Sequence, residues 1–416
     1  MNERKDDWCM RITQQTALII VSGVLAGAAS AGTPSPGIRI GSGVLHPYAE
    51  LSAAHESNVF KTQKNEISDT YVEPEAGVRF SSSSEPSRMS VIGNLFYSRR
   101  EYADQNDLDF DTFGDTISMR YHDEDTCRIE LIQSFRRLTD NDRHASDIED
   151  SILSADMVQD IHTVNAQRDI HQAGASITRK MSDKLDGGLS FRLADMKYDE
   201  DLYLDLQGYE GRAEAAYRVT DKTSSILHLI YGRQSQQGSD DSARLAAARL
   251  GLKTRGAGKM QYIAAAGMQR YVRPEETGDE SDVTFSFETA ADWFMTEKIT
   301  LRGGARNGSQ LSSIYSGNGL DYTSGWVGAG YRWSPRVILS ARGIIREDRY
   351  FDPVTVEIAS IDRKDWRIEA NARIDYLAPS GLLRAYIGIA TEDVDSNVNS
   401  MDYANARIIL GTTIQY

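Results

Sequence analysis

The feature that most constrains this chain is a hydrophobic period of two. In residues 366–376, Trp366, Ile368, Ala370, Ala372, Ile374 and Tyr376 alternate with Arg367, Glu369, Asn371, Arg373 and Asp375. An extended strand sends successive side chains to opposite faces, so it sorts these two sets cleanly, whereas a helix mixes them. The last segment repeats the pattern: Ala404, Ala406, Ile408, Leu410, Thr412, Ile414 and Tyr416 oppose Asn405, Arg407, Gly411, Thr413 and Gln415. Tyr209, Ala213, Ala215 and Tyr217 oppose Glu210, Arg212, Glu214 and Arg218, and Val72, Ala76, Val78 and Phe80 oppose Glu73, Glu75 and Arg79. The chain is therefore read as all-β.

A soluble sandwich also alternates, so the connections decide. Short polar turns fall near 81–87, 122–126, 182–184, 220–223, 254–259, 296–298, 334–336 and 378–381. Longer acidic connections separate them, near 57–68, 103–109, 138–162, 199–203, 235–242, 272–281, 308–320, 350–362 and 391–401. Eight turns and nine loops join about 18 strands, an even number, with all the short turns at one end. That is the plan of a transmembrane up-and-down antiparallel β-barrel. Closure leaves no sheet edge facing lipid. Tyr217, Trp293, Tyr331, Trp333, Trp366, Tyr376 and Tyr416 stand near segment ends, where interfacial aromatic girdles sit.

Composition closes off other classes. The net charge of -15 argues against a nucleic-acid partner. One long apolar run exists, near 17–31, so repeated membrane helices are excluded. Arg4, Lys5 and Arg11 precede that run and Ala29-Ser30-Ala31 ends it, which reads as a secretory signal peptide over 1–31. Met1 and Met10 are both workable starts. Residues 32–44 are expected to form an N-terminal periplasmic segment and 45–416 the barrel, in the outer membrane of a Gram-negative-type bacterium. Cys127 is the one cysteine left after Cys9 departs with the signal, so no internal disulfide is expected. The seven histidines sit in no H-E-x-x-H, G-x-S-x-G or related pattern, and no P-loop occurs. No enzyme activity, catalytic residue, cofactor or metal site is expected. The acidic loop clusters contain no twelve-residue calcium loop and are read as solvated surface charge.

The polar face is the candidate functional surface, because a barrel of 16–18 strands is too wide for side chains to fill. Parity places Arg212, Arg218, Arg302, Arg306, Arg342, Arg346, Arg367, Arg373 and Arg407 inward, with Glu369 among them. Inward arginine outnumbers inward acid about two to one on this assignment. Guanidinium groups pair with carboxylate or phosphate, so a ladder of them would draw anions. The bland reading of the same set is a wall of Arg–Glu pairs that stiffens the barrel. In the longest loop, Ser146-Asp147-Ile148-Glu149 matches a capping box. Ile148, Glu149, Ile152 and Asp156 are the expected constriction residues if that loop folds into the lumen; an outer cap is the alternative.

The run His55-Glu56-Ser57-Asn58-Val59-Phe60, leading into Asp69-Thr70-Tyr71-Val72-Glu73-Pro74, resembles the first hairpin of a family of bacterial outer-membrane β-barrel porins often associated with exopolysaccharide systems. Asp395-Ser396-Asn397-Val398 echoes it in the last loop. The resemblance implies an outer-membrane barrel and a role in moving or anchoring secreted polysaccharide. The expected function is a porin-like channel for sugar-like or anionic solutes, with exopolysaccharide export as the specific version. A non-conducting barrel for adhesion or scaffolding is the alternative. Expected partners are outer-membrane lipid, lipopolysaccharide, polysaccharide, and the barrel-insertion machinery through the final strand ending at Tyr416.

Overall fold

The computed structural model describes residues 37–416 apart from 84–87, 124–125, 140–166, 200–202, 237–241, 255–258, 274–279, 313–314, 316–317, 353, 357–358 and 399–400. The expected signal peptide and the expected constriction residues Ile148, Glu149, Ile152 and Asp156 lie outside the described residues.

Eighteen long strands form one antiparallel sheet that closes on itself. In chain order they are β1 Gly43–Glu56, β2 Asp69–Ser83, β3 Met89–Tyr102, β4 Phe110–Asp123, β5 Cys127–Thr139, β6 Gln167–Lys180, β7 Leu185–Tyr198, β8 Leu206–Arg218 and β9 Thr223–Gln236. There follow β10 Ser242–Thr254, β11 Met260–Arg273, β12 Glu280–Phe294, β13 Ile299–Leu311, β14 Gly319–Arg332, β15 Val337–Tyr350, β16 Lys364–Leu377, β17 Leu383–Ser396 and β18 Tyr403–Gln415. Each pairs with its sequence neighbours, and β18 returns to β1 with Tyr48 opposite Gln415 and Glu56 opposite Arg407. A short strand, Ile38–Ile40, folds back on the start of β1 through a tight turn whose Gly41 has φ +61°. Glycine takes that left-handed geometry without strain.

The strands are 13–15 residues long. At roughly 3.3 Å per residue and a tilt near 40°, each overspans the apolar band of about 25 Å. The two faces differ as the alternation requires. Ile368, Ile374, Ile408, Leu410 and Ile414 are exposed on the outside, while Arg367 and Arg407 are buried inside. Val327 and Leu250, at 66% exposure, would be unexplained on a soluble protein; here they meet acyl chains. Exposed Tyr217, Trp293, Tyr331, Trp333, Tyr376 and Tyr416 ring the short-turn end. At the long-loop end the exterior turns charged, with Arg99 between Glu101 and Asp111 and with Glu347 between Arg349 and Lys364. Short turns mark the periplasmic side, so this charged collar faces outward from the cell.

One seam departs from the regular plan. The ladder between β12 and β13 runs only from Phe294 opposite Thr300 to Glu288 opposite Arg306. Beyond it the Asn307 side chain replaces the backbone. Its Nδ2 donates to the Phe285 carbonyl at 2.6 Å, and its Oδ1 accepts from the Phe287 amide at 2.7 Å. The upper part of β13 then leaves the wall and meets β9 and β10 across the lumen.

Candidate functional site

The site is the lumen, and its two halves differ. The periplasmic half holds a cavity of about 520 Å³. It rises from Lys298 and Arg332 at the short turns to Lys61, Glu392 and Asn405. Of the side chains placed inward by parity, Arg302, Arg342, Arg373, Arg407 and Glu369 line this cavity. Ten basic and seven acidic side chains line it, so its wall is positive although the chain is acidic.

The arginines are held by aromatic faces and carboxylates. Arg373 stacks 3.5 Å from the Tyr386 ring centroid, and Arg79 lies 4.1 Å from that of Tyr48. The two tyrosine hydroxyls donate to acids on other strands: Tyr386 to Glu50 at 2.6 Å, Tyr48 to Glu75 at 2.8 Å. Arg373 and Arg384 share the Asp375 carboxylate, at 2.9 and 2.6 Å. These cations are therefore pre-positioned by fixed anions and rings, which a mobile surface lysine would not be.

The remaining inward arginines lie elsewhere in the lumen. Arg212 belongs to a compact network on β8–β12, where Glu288 accepts from both Arg212 at 3.2 Å and Arg249 at 3.0 Å. Arg249 also reaches Ser286 at 2.8 Å, and His228 meets Glu214 at 2.9 Å. Arg218 stands half-buried near the short turns. Arg306 is buried where the β12–β13 ladder stops. Arg346 pairs with Asp348 at 2.5 Å and lies 4.6 Å from the centroid of the Tyr322 ring. Arg367 sits between Glu369 and Glu392, at 3.7 and 3.8 Å. Arg346 and Arg367 are 1% and 2% exposed, so they brace the wall and do not face open lumen.

Parity reading missed several groups. Glu50, Glu56, Asp348, Asp365 and Glu392 also face inward, and each bonds a lumenal partner. With them the inward arginine excess shrinks, and most of the set is paired. Arg100 is a further missed cation; it binds Glu73 at 2.8 Å over the rings of Tyr71 and Phe110. Lys61 could not be found by alternation at all, because it comes from a loop.

That loop continues from the motif 55–60, and it folds inward. Asn58 donates to the Ala404 carbonyl at 3.1 Å and its amide donates to Asn405 Oδ1 at 3.2 Å. Val59 is fully buried in a cluster with Ala54, Tyr71, Tyr102 and Leu108. Lys61, in the left-handed region at φ +51°, then points down to Glu392 at 3.1 Å. The echo in the last loop uses the same device. Asn397 donates to the Asp362 carbonyl and accepts from the Lys364 amide, at 2.6 and 2.8 Å, and Val398 is buried beside it.

Other segments crowd the extracellular half. Tyr315 packs edge-on against Tyr350 and receives a hydrogen bond from Arg363 at 3.1 Å. Gln236 donates across the lumen to the carbonyls of Ser312 and Tyr315 at 2.8 and 3.1 Å. Among the described residues, no group of three or more His, Cys, Asp or Glu side chains is placed to hold a metal ion.

No family model and no curated protein matches the chain. Solved structures similar to it are bacterial outer-membrane barrels. They include OpdK of Pseudomonas aeruginosa with vanillate, at 14% identity, covering 89% of this chain and 99% of that one, with a TM-score of 0.43. A BenF-like porin from Pseudomonas fluorescens matches at 12% identity over 89% and 99%, TM-score 0.43. The FrpB iron transporter from Neisseria meningitidis matches at 8% over 89% and 81%, TM-score 0.46. At these values the likeness is one of barrel plan, and nothing about this chain's cargo follows from it. On its own closed sheet, apolar exterior and charged lumen, the chain is an 18-stranded β-barrel of the Gram-negative outer membrane.

Proposed function

We propose that this barrel is a channel whose periplasmic half selects anionic or sugar-like solutes, with export of an acidic exopolysaccharide as the specific version. The observation that carries the reading is the cavity wall, which Arg302, Arg342, Arg373, Arg384 and Arg407 share with Tyr48 and Tyr386 in a chain of net charge -15. Guanidinium planes suit carboxylates, and tyrosine faces suit sugar rings, so an acidic sugar chain would find both along one path. Lipopolysaccharide would meet the charged collar, and the insertion machinery would read the strand that ends at Tyr416.

The second reading, a non-conducting barrel for adhesion or scaffolding, is favoured by the packing of the extracellular half, where Gln310, Leu311 and Leu320 are at most 1% exposed. Recording pure folded protein in a planar bilayer under a salt gradient separates the two. The channel reading expects unit steps with an anion-directed reversal potential. A silent membrane would leave the scaffold reading standing.

A further inference from the structure

The upper edge of β12 lacks a strand partner among the described residues, since its ladder with β13 stops at Glu288. An open strand edge in a barrel wall is costly unless something pairs with it, because lipid offers no hydrogen bonds. The segment whose register continues the ladder is the upper part of β13 itself. Extending the pairing beyond Glu288–Arg306 would put Asn307 opposite Phe287, Ser309 opposite Phe285 and Leu311 opposite Val283. In that register Gly308 and Gln310 would face the lumen, and Leu311 would join Val283 on the lipid face. Alternation along β13 thus writes Leu311 for the outside.

The structure holds it inside. Leu311 is 1% exposed in a lumenal cluster with Tyr271, Ala243 and Leu206, while Val283 stands 61% exposed on the exterior. The β14 arm of the hairpin stays laddered to β15 from Leu320 opposite Tyr350 onward, and what keeps the β13 arm inward is mostly glutamine. Gln234 accepts from the Leu311 amide at 2.9 Å, Gln236 grips the following turn, and Gln269 donates to Ser309 at 2.9 Å. These bonds replace a backbone ladder with side-chain contacts from two other strands, β9 and β11.

We infer that the upper β13–β14 hairpin exchanges between this tucked position, which obstructs the extracellular half of the lumen, and a zipped position paired to β12, which clears it. Asn307 is the pivot: it holds the edge of β12 at Phe285 and Phe287 while the rest of the strand departs. As a statement about conduction this rests on the channel reading; the strand exchange itself does not.

Full-length protein carrying Cys127→Ser, Val283→Cys and Leu311→Cys tests it in native membranes. The two sites lie on opposite sides of the wall when the hairpin is tucked. They become cross-strand partners, about 5.5 Å apart at Cα, only when it zips, within disulfide reach. Mild oxidation is expected to give the intramolecular disulfide in barrels that retain their folded gel mobility, and adding Gln236→Ala is expected to raise its yield. No disulfide in either background would overturn the exchange. In bilayers the oxidised form is expected to show a larger unit conductance that dithiothreitol reverses. A conductance indifferent to reduction would overturn the gating role. Silence in both forms would remove the channel reading and the gating role together, and the presence or absence of the disulfide would still decide the strand exchange.

Discussion

Asn58 and Asn405 bind the first loop to the last strand. The Asn58 amide donates to Asn405 Oδ1 at 3.2 Å, and Asn405 Nδ2 in turn reaches the buried Glu56 carboxylate at 2.5 Å. They stand 347 positions apart in sequence, yet they extend the closing seam past Glu56–Arg407, where the β1–β18 ladder ends. The porin-like motif at 55–60 is therefore a latch on barrel closure. Asn397 and Asn307 repeat its chemistry, each bracketing one residue of a neighbouring segment with a side-chain amide.

Asn58→Ala should weaken closure. It removes bonds to the Ala404 and Thr62 carbonyls and to the Thr62 amide. Leaving buried groups unpaired costs about 1–3 kcal/mol. The denaturant midpoint of the folded barrel in lipid should fall accordingly, while Lys64→Ala, in the exposed part of the same loop, should leave it in place.

Glu288→Ala should be more damaging. This carboxylate is 4% exposed and holds both Arg212 and Arg249. Removing one member of a buried ion pair typically costs about 3–5 kcal/mol, because the remaining charge stays buried. Unfolding monitored by tryptophan fluorescence should show it. An exposed pair such as Arg99–Glu101 should give a change of about 1 kcal/mol or less on Glu101→Ala.

Replacing Arg342 and Arg373 with alanine should move the reversal potential in a salt gradient toward cation preference, since both line the cavity and its acids remain. The matching pair Arg346→Ala and Arg367→Ala should chiefly lower stability, because those side chains are sealed in the packed half. Equal selectivity effects from both pairs would count against the division of the lumen into an open and a packed half.

Strand number, connection pattern and face assignment could be read from the sequence because alternation is a local property, as Ile368 and Arg367 show by lying outside and inside. Pairing across the lumen could not. Arg212 finds Glu288 76 residues away, and nothing in either strand's own pattern announces the other. The inward acids Glu50 and Glu392 carry the right parity, so a strand-by-strand count of both charges would have found them. The inward fold of 57–61 was hidden because a loop has no periodicity, and the β12–β13 seam because Asn307 and Leu311 alternate like any wall strand.

The whole architecture depends on one face of every strand meeting acyl chains while the other encloses water. Nitroxide labels at Ile408 and at Ala390, the neighbour across from Arg407 that lines the cavity, test this most directly. In lipid bilayers Ile408 should collide with oxygen and be shielded from a water-soluble nickel chelate, and Ala390 should show the reverse. Nickel access at Ile408, or oxygen preference at Ala390, would contradict it.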